Sequence, residues 1–445
     1  MLKNYPSHTN LKNRFSEICG QHAGILESQI LFSAKTNYSP SPALCTNSMP
    51  AYHKLLIGEN VDMSYHLSGY GYYREEAMIR LLGEGIERYA LLIAPTLYKN
   101  KFVFASYKDI QKQGTVIPWE YIKIFSDEDY EKLEKRTLIR NITQDDTIGW
   151  LKCSSIFDPE KEIFVPAQLL FTGYQTNTSV GEQYFAPGFS KGSASHTDFK
   201  KALKSAILEY VEADALMINW YTGRKCKKII LDDPTLLNML SDLLGKQNYE
   251  LIPFEYSLEE LPGHTFGLAL VNKREEHPYI VMGCQTTLEP LSGMYRAVME
   301  ALAILYLANY GALVMPKDYL ETTGQQNFAN LDANVAYWAH ATDMNEKKAK
   351  LLGMLQGETA LSGLKDYSGD IDLELEYILK KMRNVSEYGV FLDITPPEVK
   401  SKGWKCIRTF FPELVQMSLP GFPYSNHPRI KKYGGIKNDT PHPLP

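Results

Sequence analysis

From Gly293 to Tyr310 the sequence GMYRAVMEALAILYLANY is apolar almost all round a helix, with Arg296 and Glu300, four residues apart, as its main charges. A helix of that composition must be covered on every side, and its two charges are then buried with it. Charges inside an apolar helix are expensive unless they pair with each other or serve a site. Both readings stay open from the sequence. The chain has 445 residues, longer than a typical single domain and enough to bury a sizeable core in one large or two intertwined lobes.

Two more helices carry charges in a pattern. From about Arg74 to Ile93, Met78, Leu81, Leu82, Gly85, Tyr89 and Leu92 form an apolar stripe, and the other faces hold Arg80, Glu84, Glu87 and Arg88. From about Asp198 to Trp220, Leu203, Ala206, Ile207, Tyr210 and Met217 form a second stripe beside Ser205, Glu209 and Glu212. Each of the three helices follows a glycine-containing segment, LSGYGYYREEA, PGFSKGSASHTDFKKA and EPLSGMYRA. Such turns can bring backbone N–H groups to an anion, although glycine before a helix is common.

Short apolar or β-branched runs lie between the helices: KFVFAS near 101, EIFVPAQLLF near 162, KKIILDD near 227, FGLALV near 266 and YIVMGCQTT near 279. They predict strands, and hence a mixed α/β (α+β) fold. No tandem repeat or low-complexity block divides the chain. With 47 basic against 52 acidic residues and no long basic run, the formal charge of −5 argues against nucleic acid as a partner. The first residues lack an apolar signal core, and no stretch offers about 18 uninterrupted apolar residues for a membrane span. The six cysteines, at 19, 45, 153, 226, 284 and 406, include no CxxC pair and suit reduced thiols. A soluble cytoplasmic protein is expected. No HExxH spacing points to a histidine-bound metal.

Hard cations such as Mg²⁺ prefer oxygen ligands, and a triphosphate brings oxygens of its own. Glu84, Glu87, Glu209, Glu212 and Glu300 are therefore candidates to hold metal against a nucleotide. Arg88 and Arg296 can grip phosphate oxygens through a planar fork, and Lys191, flanked by glycine, suits a point-charge contact. The competing reading of the first two helices is a solvated glutamate-rich face with helix-stabilising charge pairs.

The chain ends NDTPHPLP, with proline at 441, 443 and 445. Alternating proline fixes φ and removes N–H donors, so the segment should be extended and lose little entropy on threading a groove. Pro445 would then deliver its terminal carboxylate as a hydrogen-bond acceptor or general base. A frayed tail, or a ligand for a proline-binding module, is the alternative.

These segments resemble the YcaO family. Its hallmark helices appear as Arg80-LLG-Glu84-GI-Glu87-Arg88, as Ser205-AIL-Glu209-YV-Glu212-Ala213-Asp214, and as Arg296-Ala297-VM-Glu300, and the similarity runs over roughly residues 60 to 445, including FLDITPPEV and CIRTFFPEL. Arg80 stands where the pattern usually has Ser, and Ala213 where a second arginine is usual. The resemblance implies an N-terminal segment, 1–60, packing on or preceding a catalytic domain, 61–445, whose three helices converge on an ATP/Mg²⁺ site without a Walker loop. Consistent with that, no GxxxxGK[ST] sequence occurs.

By the same resemblance, Arg80, Glu84, Arg88, Lys191, Ser205, Glu209 and Arg296 contact ATP, and the five glutamates organise Mg²⁺. The terminal PHPLP matches the PxPxP of the azoline-forming branch. That branch turns Cys, Ser or Thr of a precursor peptide into thiazoline or oxazoline, with Arg296 and Pro445 in catalytic roles. Relatives that admit an external nucleophile make thioamides or amidines, and a nucleotide-binding scaffold without chemistry is a further alternative. The first 60 residues do not read as a peptide-recognition domain. A separate leader-binding partner is expected, resembling ubiquitin-activating enzymes or carrying a winged-helix recognition element. An FMN-dependent dehydrogenase and a homodimer within a larger complex are implied in the same way.

Overall fold

The computed structural model describes residues 6–20, 24–27, 31–32, 42–52, 54, 66–244, 248–314 and 332–444. Three sheets organise it. The first joins β1 (Leu31–Phe32), β2 (Ala43–Ser48) and β3 (His66–Gly71) in that order, antiparallel throughout. The second runs β4 (Val103–Ala105), β5 (Ile148–Ser155), β13 (Val390–Asp393), β14 (Lys405–Phe410) and β7 (Ser193–His196), with β6 (Glu162–Pro166) paired to β5. The third runs β11 (Ile280–Thr287), β10 (His264–Asn272), β9 (Tyr249–Glu255), β8 (Cys226–Ile230) and β12 (Leu355–Ala360), antiparallel except for the parallel β8–β12 pair. The mixed α/β expectation holds. Every residue of β10 is buried, so both of its faces are covered and it reads as a continuous apolar run.

The helices used below are α1 (Pro6–Ile18), α2 (Arg74–Tyr98), α3 (Phe199–Thr222), α4 (Pro290–Val314), α5 (Asp332–Ala339) and α6 (Ile371–Arg383). α2 runs a turn further than the sequence suggests, through Pro95. The lost hydrogen bond is tolerated because Leu91 to Ala94 are buried against the body. α3 starts where Asp198 accepts a hydrogen bond from the N–H of Lys201 at 3.0 Å and stops at left-handed Gly223. α4 is long and apolar enough to cross a membrane by length and composition, but it packs on β10 and β11, which accounts for its apolarity.

Each of the three charge-bearing helices is pressed against an edge strand. α2 lies on β3, α4 on β11, and α3 contacts β7, β14 and β11, so that it joins the second sheet to the third. A Cβ on Gly69 of β3 would sit 1.8 Å from the Ala77 carbonyl oxygen of α2, and one on Gly283 of β11 would sit 2.3 Å from the Ala297 oxygen of α4. Glycine at these two places lets helix and strand backbones touch. Residues on both sides of position 60 share the first sheet, since β2 pairs with β3 along its length, and α1 packs on α2. The described residues of α1 and β2 are thus packed into the body.

The glycine segments differ from expectation. LSGYG forms β3 rather than a turn, SASH forms β7, and Gly293 lies within α4 against Thr287 and Phe266. In the first and third segments glycine serves close packing.

Candidate active site

β3, β7 and β11 are each the terminal strand of their sheet, and all three line one cavity of about 910 Å³. An edge strand leaves N–H groups unpaired, and such groups need acceptors. Carboxylates from the three helices supply them. Glu84 accepts from the N–H of Ser68 on β3 at 2.9 Å. Glu300 accepts from the N–H of Cys284 on β11 at 2.5 Å, and Glu212 from the N–H of Thr286 two residues on at 2.7 Å. At β7 the Ser193 hydroxyl donates to Glu87 at 2.6 Å. The sheet edges therefore fix these side chains in orientation, and for Glu84 and Glu300 they leave oxygen lone pairs turned to the cavity.

The charge balance of the cavity is uneven. Burial raises Glu84 above the usual carboxylate range, with Arg88 opposing. Burial, and then the neighbouring charge of Glu87, pushes Glu209 up to about 8. Burial pushes Glu300 up to about 7 although Lys191 opposes it. Glu209 accepts no hydrogen bond among the described residues. Of the cations, Arg88 sits 2.9 Å from Glu87 and 3.8 Å from Glu84. Lys191 is 2.6 Å from Glu212, and although burial would lower it, Glu212 and its neighbours hold it well above its ordinary value. Arg80 is tied to Glu76 at 2.7 Å and lies over the Tyr70 ring.

The charges of α4 are not buried as expected: Glu300 is half-buried and Arg296 is exposed, opening onto the cavity, because that side of the helix faces the cavity rather than a packed neighbour. Arg296 forms no ion pair with any described carboxylate, and desolvation by the cavity walls and then Arg80 lower its pKa. Carboxylates and an arginine without an ion-pair partner among the described carboxylates thus face one cavity, an arrangement able to take a ligand carrying both cation and anion. Among the described residues no three acidic, histidine or cysteine side chains stand close enough to cage a metal alone. The carboxylates occupy different walls, an arrangement that fits Mg²⁺ sharing its shell with phosphate oxygens.

Arg80, Glu84, Glu87, Arg88 and Lys191 line this cavity, as do Ser205, Glu209, Arg296 and Glu300. Glu212 lies behind the wall with both oxygens engaged, one by Lys191 and the other by Thr286 N–H and the Gln285 side chain. The spacing of Glu209 and Glu212 puts them on neighbouring faces, and only the position of β11 decides that the second turns inward. Residues the sequence did not single out also line the cavity: Ser68 and Tyr70 of β3, Gln285 and Thr286 of β11, Asn10 and Arg14 of α1, and Trp404, whose indole N–H has no partner among the described residues. Their roles come from strand edges and a distant helix, for which a local sequence pattern gives no signal.

Within the tail, Thr440 to Leu444 are buried. The Trp220 indole donates to the Thr440 oxygen at 2.7 Å and the Trp338 indole to the Pro441 oxygen at 2.9 Å. Asn334 of α5 donates to the Leu444 oxygen, and His442 meets the Ser418 oxygen at 3.1 Å. Trp220 stands on α3 eleven residues beyond Glu209, about 16 Å along the axis. Pro445, with its terminal carboxylate, lies outside the described residues.

The model of the YcaO cyclodehydratase family, described as ATP- and Mg²⁺-binding, matches residues 68–415. No curated protein matches the sequence. Among solved structures the chain is similar to a heterocyclase in complex with substrate and cofactor, at 15% identity and a TM-score of 0.73, covering 99% of this chain and 57% of that one. This chain thus spans little more than half the length of that heterocyclase. It is also similar to YcaO from Methanopyrus kandleri bound with AMPPCP and Mg²⁺, at 14% identity and a TM-score of 0.60, covering 98% of this chain and 96% of that one. An E. coli microcin synthetase McbBCD complex matches at 13% identity with a TM-score of 0.62, covering 94% and 96%. At these identities the structures establish the fold.

Proposed function

The chain belongs to the YcaO cyclodehydratase family, and from that premise we propose that it uses Mg-ATP to convert Cys, Ser or Thr of a ribosomal precursor peptide into thiazoline or oxazoline. The observation that carries the reading is one cavity in which Arg296 lacks an anion while Glu84, Glu209 and Glu300 are held above the ordinary carboxylate range. In this reading Glu84, Glu209 and Glu300 hold the cations, with Glu87 beside them. Glu212 acts from behind by anchoring Lys191. When bound, Mg-ATP supplies the γ-phosphoryl group that removes the former amide oxygen as phosphate.

The chain's own work is positioning and charge stabilisation. Arg296 and Arg88 would hold the phosphoryl oxygens, Lys191 would add a point charge, and Arg80 would extend the basic wall, all four lining the cavity. The peptide's Cys, Ser or Thr side chain attacks the preceding carbonyl carbon, and its proton needs an acceptor. The resemblance of the terminal PHPLP to the PxPxP of the azoline-forming branch supports assigning that role to the Pro445 carboxylate. A precursor peptide and partner subunits are expected, supported by the likeness to complexes of heterocyclase with substrate and of microcin synthetase. The six unpaired cysteines agree with a cytoplasmic setting.

The test is to incubate the chain with a candidate precursor, a leader-binding partner and Mg-ATP, then measure peptide mass and released phosphate. Loss of one water per modified residue is expected. A verified precursor that returns unchanged sinks the reading, and a gain of sulfur or amine mass transfers it to the external-nucleophile branch. Glu84→Ala, Glu209→Ala and Arg296→Ala should each abolish ATP turnover; normal turnover in all three removes the site assignment.

A further inference from the structure

Arg408 of β14 is fully buried, yet it pairs with no carboxylate among the described residues. Its guanidinium donates to three backbone oxygens instead, those of Ser190 at 3.0 Å, Lys191 at 2.6 Å and Leu169 at 3.4 Å, and its Nε–H has no partner. A buried arginine satisfied only by carbonyls keeps its charge uncancelled locally, and the carboxylates that feel it are Glu87 and Glu209 on the cavity wall. The residue is thus a cation set behind the acidic wall.

Its contacts converge on the segment that projects Lys191. Arg408 lies opposite Ser193 in the β14–β7 register. The Ser193 hydroxyl reaches both Glu87, at 2.6 Å, and the Ser190 oxygen, at 2.5 Å. The next residue of β14, Thr409, donates its N–H to the Gly192 oxygen at 2.7 Å. The carbonyls of residues 190 to 192 are therefore clamped, and the Lys191 side chain leaves the clamp along the cavity wall to meet Glu212 behind it.

We infer that Arg408 is a positioning residue for the nucleotide site, acting through the Lys191 turn and the Glu87–Glu209 wall and never touching the ligand. The inference rests on the Mg-ATP reading given above. A lysine at 408 keeps the charge but cannot reach the Ser190 and Lys191 oxygens and the Leu169 oxygen together with a rigid fork, so it should restore part of what a neutral residue loses.

The measurement is binding of Mg²⁺ with AMPPCP to the full chain by calorimetry, for wild type, Arg408→Gln, Arg408→Lys, Lys191→Ala and the double variant Arg408→Gln/Lys191→Ala. Folding of each is checked by circular dichroism. Arg408→Gln is expected to weaken binding about tenfold, Arg408→Lys by a smaller factor, and the double variant no more than the weaker single, because the two residues act on one element. Wild-type affinity in a folded Arg408→Gln chain, or losses that multiply in the double variant, overturns the inference. If the glutamine variant does not fold, the same cycle is run with Arg408→Lys, and multiplying losses overturn it there too. A wild-type chain that fails to bind Mg-AMPPCP sinks the nucleotide reading and this inference together, which separates the two failures.

Discussion

His442 is held with its ring nitrogens facing opposite kinds of partner. One meets the Ser418 oxygen at 3.1 Å and must carry the proton; the other, Nδ1, meets the Asn334 amide nitrogen at 3.2 Å and must accept. The amide is fixed in that sense because its oxygen accepts from the Val335 N–H and its nitrogen donates to Leu444. A second proton on His442 would place two donors face to face. Burial, opposed by backbone oxygens, pulls this histidine down to about 4, and burial brings His427 to about 4 as well.

Both are neutral in either state above pH 6.5. As pH falls, the unfolded chain takes up protons first, so stability is lost from about pH 6.5 down to about pH 4, at most about 3 kcal/mol for each residue. Glu209 and Glu300, raised in the folded chain, work the other way between about 8 and 4.5. The diagnostic quantity is therefore a difference. Urea unfolding at pH 7.5 and 5.0 should show a gap between wild type and His442→Gln that narrows by about 2 kcal/mol at the lower pH; an unchanged gap refutes the assigned protonation state.

At this scale the sequence is informative where helix periodicity alone decides which face a side chain takes. Glu84, Glu87, Glu209, Arg296 and Glu300 all reach the cavity. It is silent where a partner is remote in the chain: the amides of Ser68, Cys284 and Thr286 look like any others until their strands prove to be edges.

Among elements, the contacts α2–β3 and α4–β11 set the site's dimensions. Gly283 lets α4 approach β11 closely enough for Glu300 to reach Cys284, and Gly69 does the same for α2 and Glu84. Gly283→Ala should push α4 outward, cost about 1–3 kcal/mol of stability, and weaken Mg-nucleotide binding more than an equally destabilising change distant from the site. Thermal denaturation and calorimetry together check this, and unchanged binding excludes the contact as a determinant. The helices and the apolar strands β8, β10 and β11 were legible because each carries its own periodicity or apolar run. β3 and β7 read as glycine turns because strands of four to six small or polar residues lack such a run. The β8–β12 pairing joins segments about 130 residues apart, and no local signal specifies it.

For the whole molecule, α3 is shared property: its first half presents Ser205 and Glu209 to the cavity, and its last turns hold the tail through Trp220 and Tyr221. Deleting Pro441 to Pro445 should leave the buried Trp338 indole and the Asn334 amide without the acceptors they have on Pro441 and Leu444 and lower the thermal midpoint, at about 1–3 kcal/mol per orphaned group. Azoline formation should collapse while Mg-nucleotide binding survives in the folded fraction. Undiminished cyclisation by the shortened chain would refute the tail's role.

Because three sheets each end an edge at this one cavity, a ligand seated there ties together walls that α3 and the shared core already join. Its effect should appear far from the contact points. At a hundred times the dissociation constant, Mg-AMPPCP would add about 2.7 kcal/mol, and hydrogen exchange should slow in β2, β10 and β13 together. Without the ligand, the same strands should open as three separately cooperative units, each with its own free energy.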